Sequence, residues 1–437
     1  MKIAFLSSRF PPDFIGGGEW STKYIAEGLV ALGHDVTVIC GAEENKEEII
    51  NGLKVKRVKA LFGLWDKPLL EKRKSKKLAL VLKKELDEKF DIVHAHDFRT
   101  AQALALLNLP NAVVTIRDFA PICGTTNNML FDGQSCNGCT LASVCFKCHR
   151  VREASFARKP FRIWQYKFNL AFRNETYQNI KNQIYISEAL RSRVVSRLEL
   201  PKNTAVISNP VSPDWLQPIM SQFPPLLNGA AGSPKTSSEC LRGCQRRHIS
   251  AVLGGGGFRN KIVYAGTVDD YKGVKILIDA FAKFQKIEKD VELIIIGKGK
   301  IAEYQKYIAQ NCIDISIQFV GKKTQEEVRE YFDEALVIVQ PSIWEEPFGR
   351  TIIEAYARGR AVVASNVGGI KETFKEGTGY LVKPGSVDEL HLALKKIVEN
   401  KEETQKMGEI GRAYVEQNFT AQIVAQKYLD YYNHATK

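Results

Sequence analysis

The chain has 437 residues, 44% of them hydrophobic, and a formal net charge of +13. That length exceeds one ordinary core and implies two domains, and the apolar content excludes a disordered chain. No apolar run approaches the roughly 18 residues that a spanning helix needs, and the N-terminus enters a strand after a single Lys, so a cytosolic protein with reduced thiols is expected.

Apolar runs alternate with helical patterns in both halves, which predicts parallel sheets covered by helices on both faces. The first half offers strands at 2–7, 35–40, 91–95, 112–116, 183–187 and 204–208. Gly16-Gly17-Gly18 follows the first strand and suits close backbone approach to a phosphate or an acceptor, although it is no G-x-G-x-x-G, so a nicotinamide site is not implied. Lys72-Arg73-Lys74-Ser75-Lys76-Lys77 is a basic cluster. His96 ends the third strand, either as a site residue or as an ordinary structural histidine. Arg117-Asp118 follows the fourth, and its guanidinium can bind an anion but cannot act as a base.

Next comes a cysteine-rich segment, roughly 119–150, in which Cys123, Cys136, Cys139, Cys145, Cys148 and His149 give C-x12-C-x2-C-x5-C-x2-C-H. Paired C-x2-C knuckles suit a structural thiolate zinc, an iron–sulfur cluster uses the same ligands, and a loop of free or paired thiols is the plain alternative. From Lys147 to Arg173 stand eight basic residues, one acid and six aromatics, with Phe161, Trp164, Phe168 and Phe172 near helical spacing. The aromatic stripe either faces the domain core or lies, with Arg158, Lys159, Arg162 and Lys167, on an anionic membrane surface. No nucleic-acid motif accompanies the charge.

A break falls between Asn209 and Asn260, with Pro210, Pro213, Pro218 and Pro224-Pro225 before Gly254-Gly255-Gly256-Gly257. Its composition reads as linker or insertion. The expected division is 1–208, a linker 209–259, a second domain 260–415, and a C-terminal helix 416–437. Strands are predicted at 261–265, 291–296, 315–320, 335–340 and 361–365. Lys272 follows the first of these. Glu346 stands in a Pro/Gly turn after the fourth, and Glu354 lies eight residues on, about two turns into a helix. That helix starts at the carboxyl end of a parallel strand, so its free N–H groups near Gly349 and Arg350 offer a diphosphate site. Glu354 could accept from a ribose diol and Glu346 from sugar hydroxyls. Asp269-Asp270 is no D-x-D metal clamp.

Glu346–Glu354 resembles the E-x7-E motif of retaining glycosyltransferases of family 4, which have the GT-B fold. Gly33-His34-Asp35-Val36, Asp91-Ile92-Val93-His94-Ala95-His96, Ser208-Asn209-Pro210, Tyr264-Ala265-Gly266, Lys272-Gly273 and Gly368-Gly369 resemble the family in order and spacing. The resemblance implies two Rossmann-like α/β domains facing a central cleft, with the last helix crossing back to the first. It implies a nucleotide-sugar donor, a glycan or lipid-linked acceptor, and no metal for the transfer step. Gly17, Gly18, Lys272, Phe348, Gly349, Arg350 and Glu354 would bind the donor; Glu346, His96 and Arg117 would serve the chemistry. The family's Arg a few residues before the Lys is here Thr267, and its frequent His-Asp pair is Arg117-Asp118, which suggests an anionic acceptor such as a lipid diphosphate. A nucleotide-sugar epimerase of the same fold, or an inactive zinc-stabilised binding protein, are the alternatives.

Overall fold

A computed structural model describes residues 1–12, 16–62, 71–86, 89–123, 159–199, 203–218, 260–286, 290–311 and 315–435, with single positions 136, 148, 201, 288 and 313. The insertion predicted at 224–258 lies outside the described residues.

The first sheet contains β1 (Lys2–Ser7), β2 (Asp35–Gly41), β3 (Lys46–Ile50), β4 (Leu53–Val58), β5 (Ile92–Ala95), β6 (Ala112–Ile116), β7 (Asn182–Tyr185) and β8 (Asn203–Val206). Their order is β3-β4-β2-β1-β5-β6-β7-β8, and every pairing except β3 with β4 is parallel. The second sheet contains β9 (Asn260–Ala265), β10 (Val291–Ile296), β11 (Ile317–Gly321), β12 (Ala335–Gln340), β13 (Ala361–Ser365) and β14 (Gly379–Val382). It runs β11-β10-β9-β12-β13-β14, all parallel. Central strands such as β10, with all six residues buried, need the continuous apolar runs that the sequence supplies.

Strand order reverses between β1 and β5 in one sheet and between β9 and β12 in the other. Ligands of open α/β sheets bind beyond the carboxyl ends of strands at such points. Gly17 follows β1, His96 follows β5, Lys272 follows β9 and Glu346 follows β12. The doubly wound topology alone therefore gathers the predicted residues into two facing groups.

Three strands were absent from the sequence reading. The β3–β4 hairpin turns at Asn51 (φ 50°) and Gly52 (φ 80°), the pair of positive φ values that a two-residue primed turn requires. The short β14 adds to the edge next to β13.

The C-terminal helix expected over 416–437 follows a separate helix, Lys401–Asn418, and runs Ala421–Ala435. It packs on the helix Gly17–Ala31 of the first domain, the crossing back that the resemblance implies. Tyr428 and Tyr432 fix this crossing: Thr115 Oγ1 lies 3.2 Å from the Tyr428 hydroxyl, and His94 Nδ1 lies 2.6 Å from that of Tyr432. Both rings are fully buried, and burying a large apolar side chain is worth about 1.5–3 kcal/mol. The outgoing and returning segments touch where the Val211 N–H donates to the Phe419 carbonyl at 2.9 Å.

Candidate active site

The second domain contributes two ion pairs. Lys272 Nζ stands 2.5 Å from Glu346 Oε1, which also accepts from Ser342 Oγ at 2.7 Å. The ammonium lies 4.7 Å from the centre of the Trp344 ring, a cation–π contact. Gly273 makes this possible. Its φ is 75°, and a Cβ there would come within 1.8 Å of the Pro341 carbonyl oxygen, so only glycine lets the Lys272 turn rest on the loop after β12. Four residues beyond Glu346, Arg350 opens the helix Arg350–Ala357, its Nε 2.7 Å from Glu354 Oε1. Its Nη1 reaches across the cleft to the Gly17 carbonyl at 2.5 Å and to Ser21 Oγ at 3.3 Å. Phe348, between the two acids in sequence, is buried.

The first domain contributes a cavity of about 440 Å3 at the carboxyl ends of β1, β5 and β6, lined by Gly18, Glu19, Thr22, His96, Arg117 and Asp118 among others. Arg117 Nη1 donates to Asn209 Oδ1, and its Nη2 lies 3.2 Å from His96 Nδ1. A guanidinium only donates, so Nδ1 accepts and the imidazole proton sits on Nε2. Burial, reinforced by His94 and Arg117, holds His96 well below the usual histidine range. His96 is thus a neutral hydrogen-bond donor. Burial likewise raises Asp118, which accepts from the Ala120 N–H at 2.8 Å.

Further contacts tie the domains together at this cleft. Ser187 Oγ donates to the Pro347 carbonyl at 2.5 Å, beside Glu346. The Glu372 carboxylate accepts from the N–H groups of Glu188 at 2.6 Å and Ala189 at 2.5 Å, capping a first-domain helix from the second domain. None of Ser187, Glu372, Ser342 or Trp344 was read from sequence, because each matters through a contact between segments far apart in the chain.

The cysteines divide. Cys123 is buried in the first-domain core beside Phe119 and Ile122, and its carbonyl accepts from Arg173 Nη1 at 2.8 Å. The Cys136 carbonyl accepts from Arg193 Nη2 at 3.1 Å, and Arg193 Nε lies 3.4 Å from Glu345 Oε2, which brings this part of the segment to the cleft. Cys139 and Cys145 lie outside the described residues. Among the described residues, no group of three or more Cys, His, Asp or Glu could hold a metal ion, and Cys123 packs as a core residue.

The aromatic stripe also divides. Phe172 is buried, whereas Phe161, Trp164 and Phe168 are 48%, 52% and 40% exposed and form a ladder with ring centres 6.1 and 5.7 Å apart. The core-facing alternative therefore fails for these three. The helix buries Gln165, Asn169 and Arg173 instead, because Arg173 pairs with Glu71 at 2.6 Å beneath the stripe. Among the described residues no helix is long and apolar enough to cross a membrane.

Comparison with known proteins gives the class. Residues 15–215 match the model of Glycosyltransferase Family 4, and residues 246–414 match that of Glycosyl transferases group 1. The chain belongs to the family 4 glycosyltransferases of GT-B fold. An uncharacterised glycosyltransferase of Methanocaldococcus jannaschii is 25% identical over 91% of this chain and 89% of its own. Sucrose-phosphate synthase from Thermosynechococcus elongatus shares the fold with a TM-score of 0.70 at 19% identity, over 99% of this chain and 98% of that one. HepE of Anabaena, solved with UDP-glucose, follows at 0.62 and 18% identity over 98% of each chain.

Proposed function

We propose that this protein is a retaining glycosyltransferase that moves a hexosyl group from a nucleotide-sugar donor to a glycan or lipid-linked acceptor. The observation that carries the reading is the pair of carboxylates at the second domain's switch point, each already holding a cation: Glu346 with Lys272, and Glu354 with Arg350. In the bound state Glu354 would accept from the ribose hydroxyls, while Lys272 and the N-terminus of the helix Arg350–Ala357 take the diphosphate. Phe348 and Gly349 shape that turn, and Gly17 and Gly18 close it from the first domain. Glu346 would orient the sugar and favour positive charge at the anomeric carbon as the diphosphate leaves. The leaving phosphate then helps to deprotonate the acceptor hydroxyl on the same face, which retains the anomeric configuration without a covalent intermediate.

The first-domain cavity supports transfer over epimerisation, since an epimerase needs no acceptor room on that side. Intact Glu346, Glu354 and Lys272 argue against an inactive binding protein. The exposed aromatic ladder supports work at an anionic membrane surface on the cytoplasmic side, where lipid-linked acceptors reside. For the cysteine segment the reading is a structural zinc with ligands drawn from Cys123, Cys136, Cys139, Cys145 and Cys148, since four thiolates would leave no open position for chemistry. The direct test is to incubate the chain with a nucleotide sugar and an acceptor and to assign the anomeric configuration of the product by NMR. An α-configured donor should give an α-linked product; a β-linked product would overturn the retaining reading.

A further inference from the structure

The first domain carries a second concavity, which the transferase reading does not use. It is a groove of about 790 Å3 between the helices Glu71–Glu85 and Phe98–Leu107. Phe90 and Asn111, which line it, directly precede β5 and β6, so it lies at the amino ends of those strands, away from the cleft. Its floor is apolar: Phe90 and Val93 are buried, and Leu86, Leu107 and Leu109 are partly buried against the core. Leu80 on one wall and Leu106 on the other are 66% and 39% exposed. Aliphatic side chains left in water forgo their burial energy, and such side chains grouped around a concavity mark an interaction site.

Only one wall is charged. Lys76, Ala79, Leu80 and Lys83 recur at i, i+3, i+4 and i+7 and so share one face of the helix Glu71–Glu85, with the two lysines about 10.5 Å apart along its axis. That helix holds seven basic residues against two acids, and both acids are engaged, Glu71 by Arg173 and Glu85 by Lys56. Lys72 has Glu175, whereas Lys76 and Lys83 make no ion pair with a described residue. The opposite wall, with Leu106, Leu107 and Leu109, is uncharged. The occupant therefore needs an apolar face with negative charge along one flank. A second copy of this chain, with its net charge of +13, does not supply that charge. Nucleic acid brings phosphates but no aliphatic surface. A bilayer is flat and meets side chains that project, as the aromatic ladder does, rather than a concavity. A single-headed amphiphile has one anionic group, and ammoniums two helical turns apart ask for more.

We propose that this groove docks an acidic amphipathic helix of a partner protein. Aliphatic side chains of that helix, spaced i, i+4 and i+7, fill the floor between Leu80 and Leu106. Carboxylates seven residues apart on its flank face Lys76 and Lys83, since two helices lying side by side share the same rise per residue. The groove opens at the end of the sheet opposite the glycine turn and His96, so a partner held there leaves the cleft free and can stay attached while the cleft is at work. The inference does not depend on the transferase reading.

The test is fluorescence anisotropy of the full chain with a labelled helical peptide of about 16 residues, some 24 Å of helix, carrying leucine at i, i+4, i+7 and i+11 and glutamate along one flank. The account predicts saturable binding that weakens as salt is added. Lys76→Glu with Lys83→Glu, and independently Leu80→Asp with Leu106→Asp, should each raise the Kd about tenfold or more. Lys84→Glu, on the same helix but off the groove, should change it less than about threefold. A peptide with glutamine in place of glutamate should bind about tenfold more weakly. The four substituted groove residues are all exposed, so thermal melting should match wild type in both double variants. Absence of saturable binding, equal affinity for the glutamine peptide, or an unchanged Kd in both double variants would overturn the proposal. Co-sedimentation with phosphatidylglycerol vesicles that is lost in both double variants, while the peptide Kd stays unchanged, would assign this face to a membrane and overturn it too.

Discussion

The two sides of the cleft handle charge in opposite ways. On the second domain Lys272 is held by Glu346 and Arg350 Nε by Glu354, with only Nη2 of Arg350 left over. On the first domain Arg117 donates to Asn209 and His96, yet its Nε and the Nε2–H of His96 are buried with no acceptor among the described residues. A site whose charges satisfy one another can stay ordered without ligand and then trade partners when the donor arrives, at little net cost. A site of unmatched buried donors costs stability until a ligand fills it. On the proposed reading, the second domain's pocket is largely preformed, whereas the first domain's orphan donors are what a bound group would satisfy.

Breaking a satisfied pair should cost most. Arg173 and Glu71 form a buried ion pair within the first domain, with Gln102 Nε2 also donating to Glu71 at 2.8 Å. Arg173→Met strands the carboxylate and should lower unfolding stability by about 3–5 kcal/mol in chemical denaturation. Arg117→Leu is the matched control, since it removes an incompletely paired guanidinium, and its stability should stay within about 1 kcal/mol of wild type. A large loss for Arg117 would mean that its bonds to Asn209 and His96 satisfy it after all.

Glu346→Ala should leave the fold intact and lower turnover about 100-fold, some 2.7 kcal/mol of transition-state stabilisation, as steady-state kinetics would record. The exposed ladder sets a smaller effect. Trp164→Ser with Phe168→Ser should not change stability measurably, yet should reduce co-sedimentation with anionic phosphatidylglycerol vesicles several-fold. Unaltered sedimentation would leave the ladder without a membrane role. The smallest effect belongs to the interdomain cap: Glu372→Ala removes an exposed carboxylate from the N–H groups of Glu188 and Ala189, and should cost about 1 kcal/mol or less by thermal melt.

What the sequence disclosed and what it hid follow from the range of the forces involved. Apolar runs such as Leu293–Ile296 marked buried parallel strands, and the turn after β12 marked Glu346 and Glu354, because both signals are local. The β3–β4 hairpin was also local. Asn51-Gly52 announced it, but Lys46–Ile50 reads as polar surface because β3 is an edge strand with its Ile49 side chain in solvent. Contacts between distant segments were illegible, including Arg350 on Gly17, Tyr432 on His94 and Arg117 on Asn209. The aromatic stripe stayed undecided for the same reason. Its period of about 3.6 is the same whether the helix turns Phe161 and Trp164 inward or outward, and what decided the matter was Glu71, 102 residues before Arg173, which draws Arg173 inward.

The central claim is that a nucleotide sugar is held by the second domain's paired acids and not by the first domain's donors. Thermal unfolding of wild type, Glu354→Ala and Arg117→Leu against a panel of UDP, ADP and GDP sugars tests it directly. A ligand present at 100 times its Kd adds about 2.7 kcal/mol of stability. The account predicts such a shift for at least one nucleotide sugar in wild type and in Arg117→Leu, and its loss in Glu354→Ala. A shift that survives in Glu354→Ala but disappears in Arg117→Leu would contradict it.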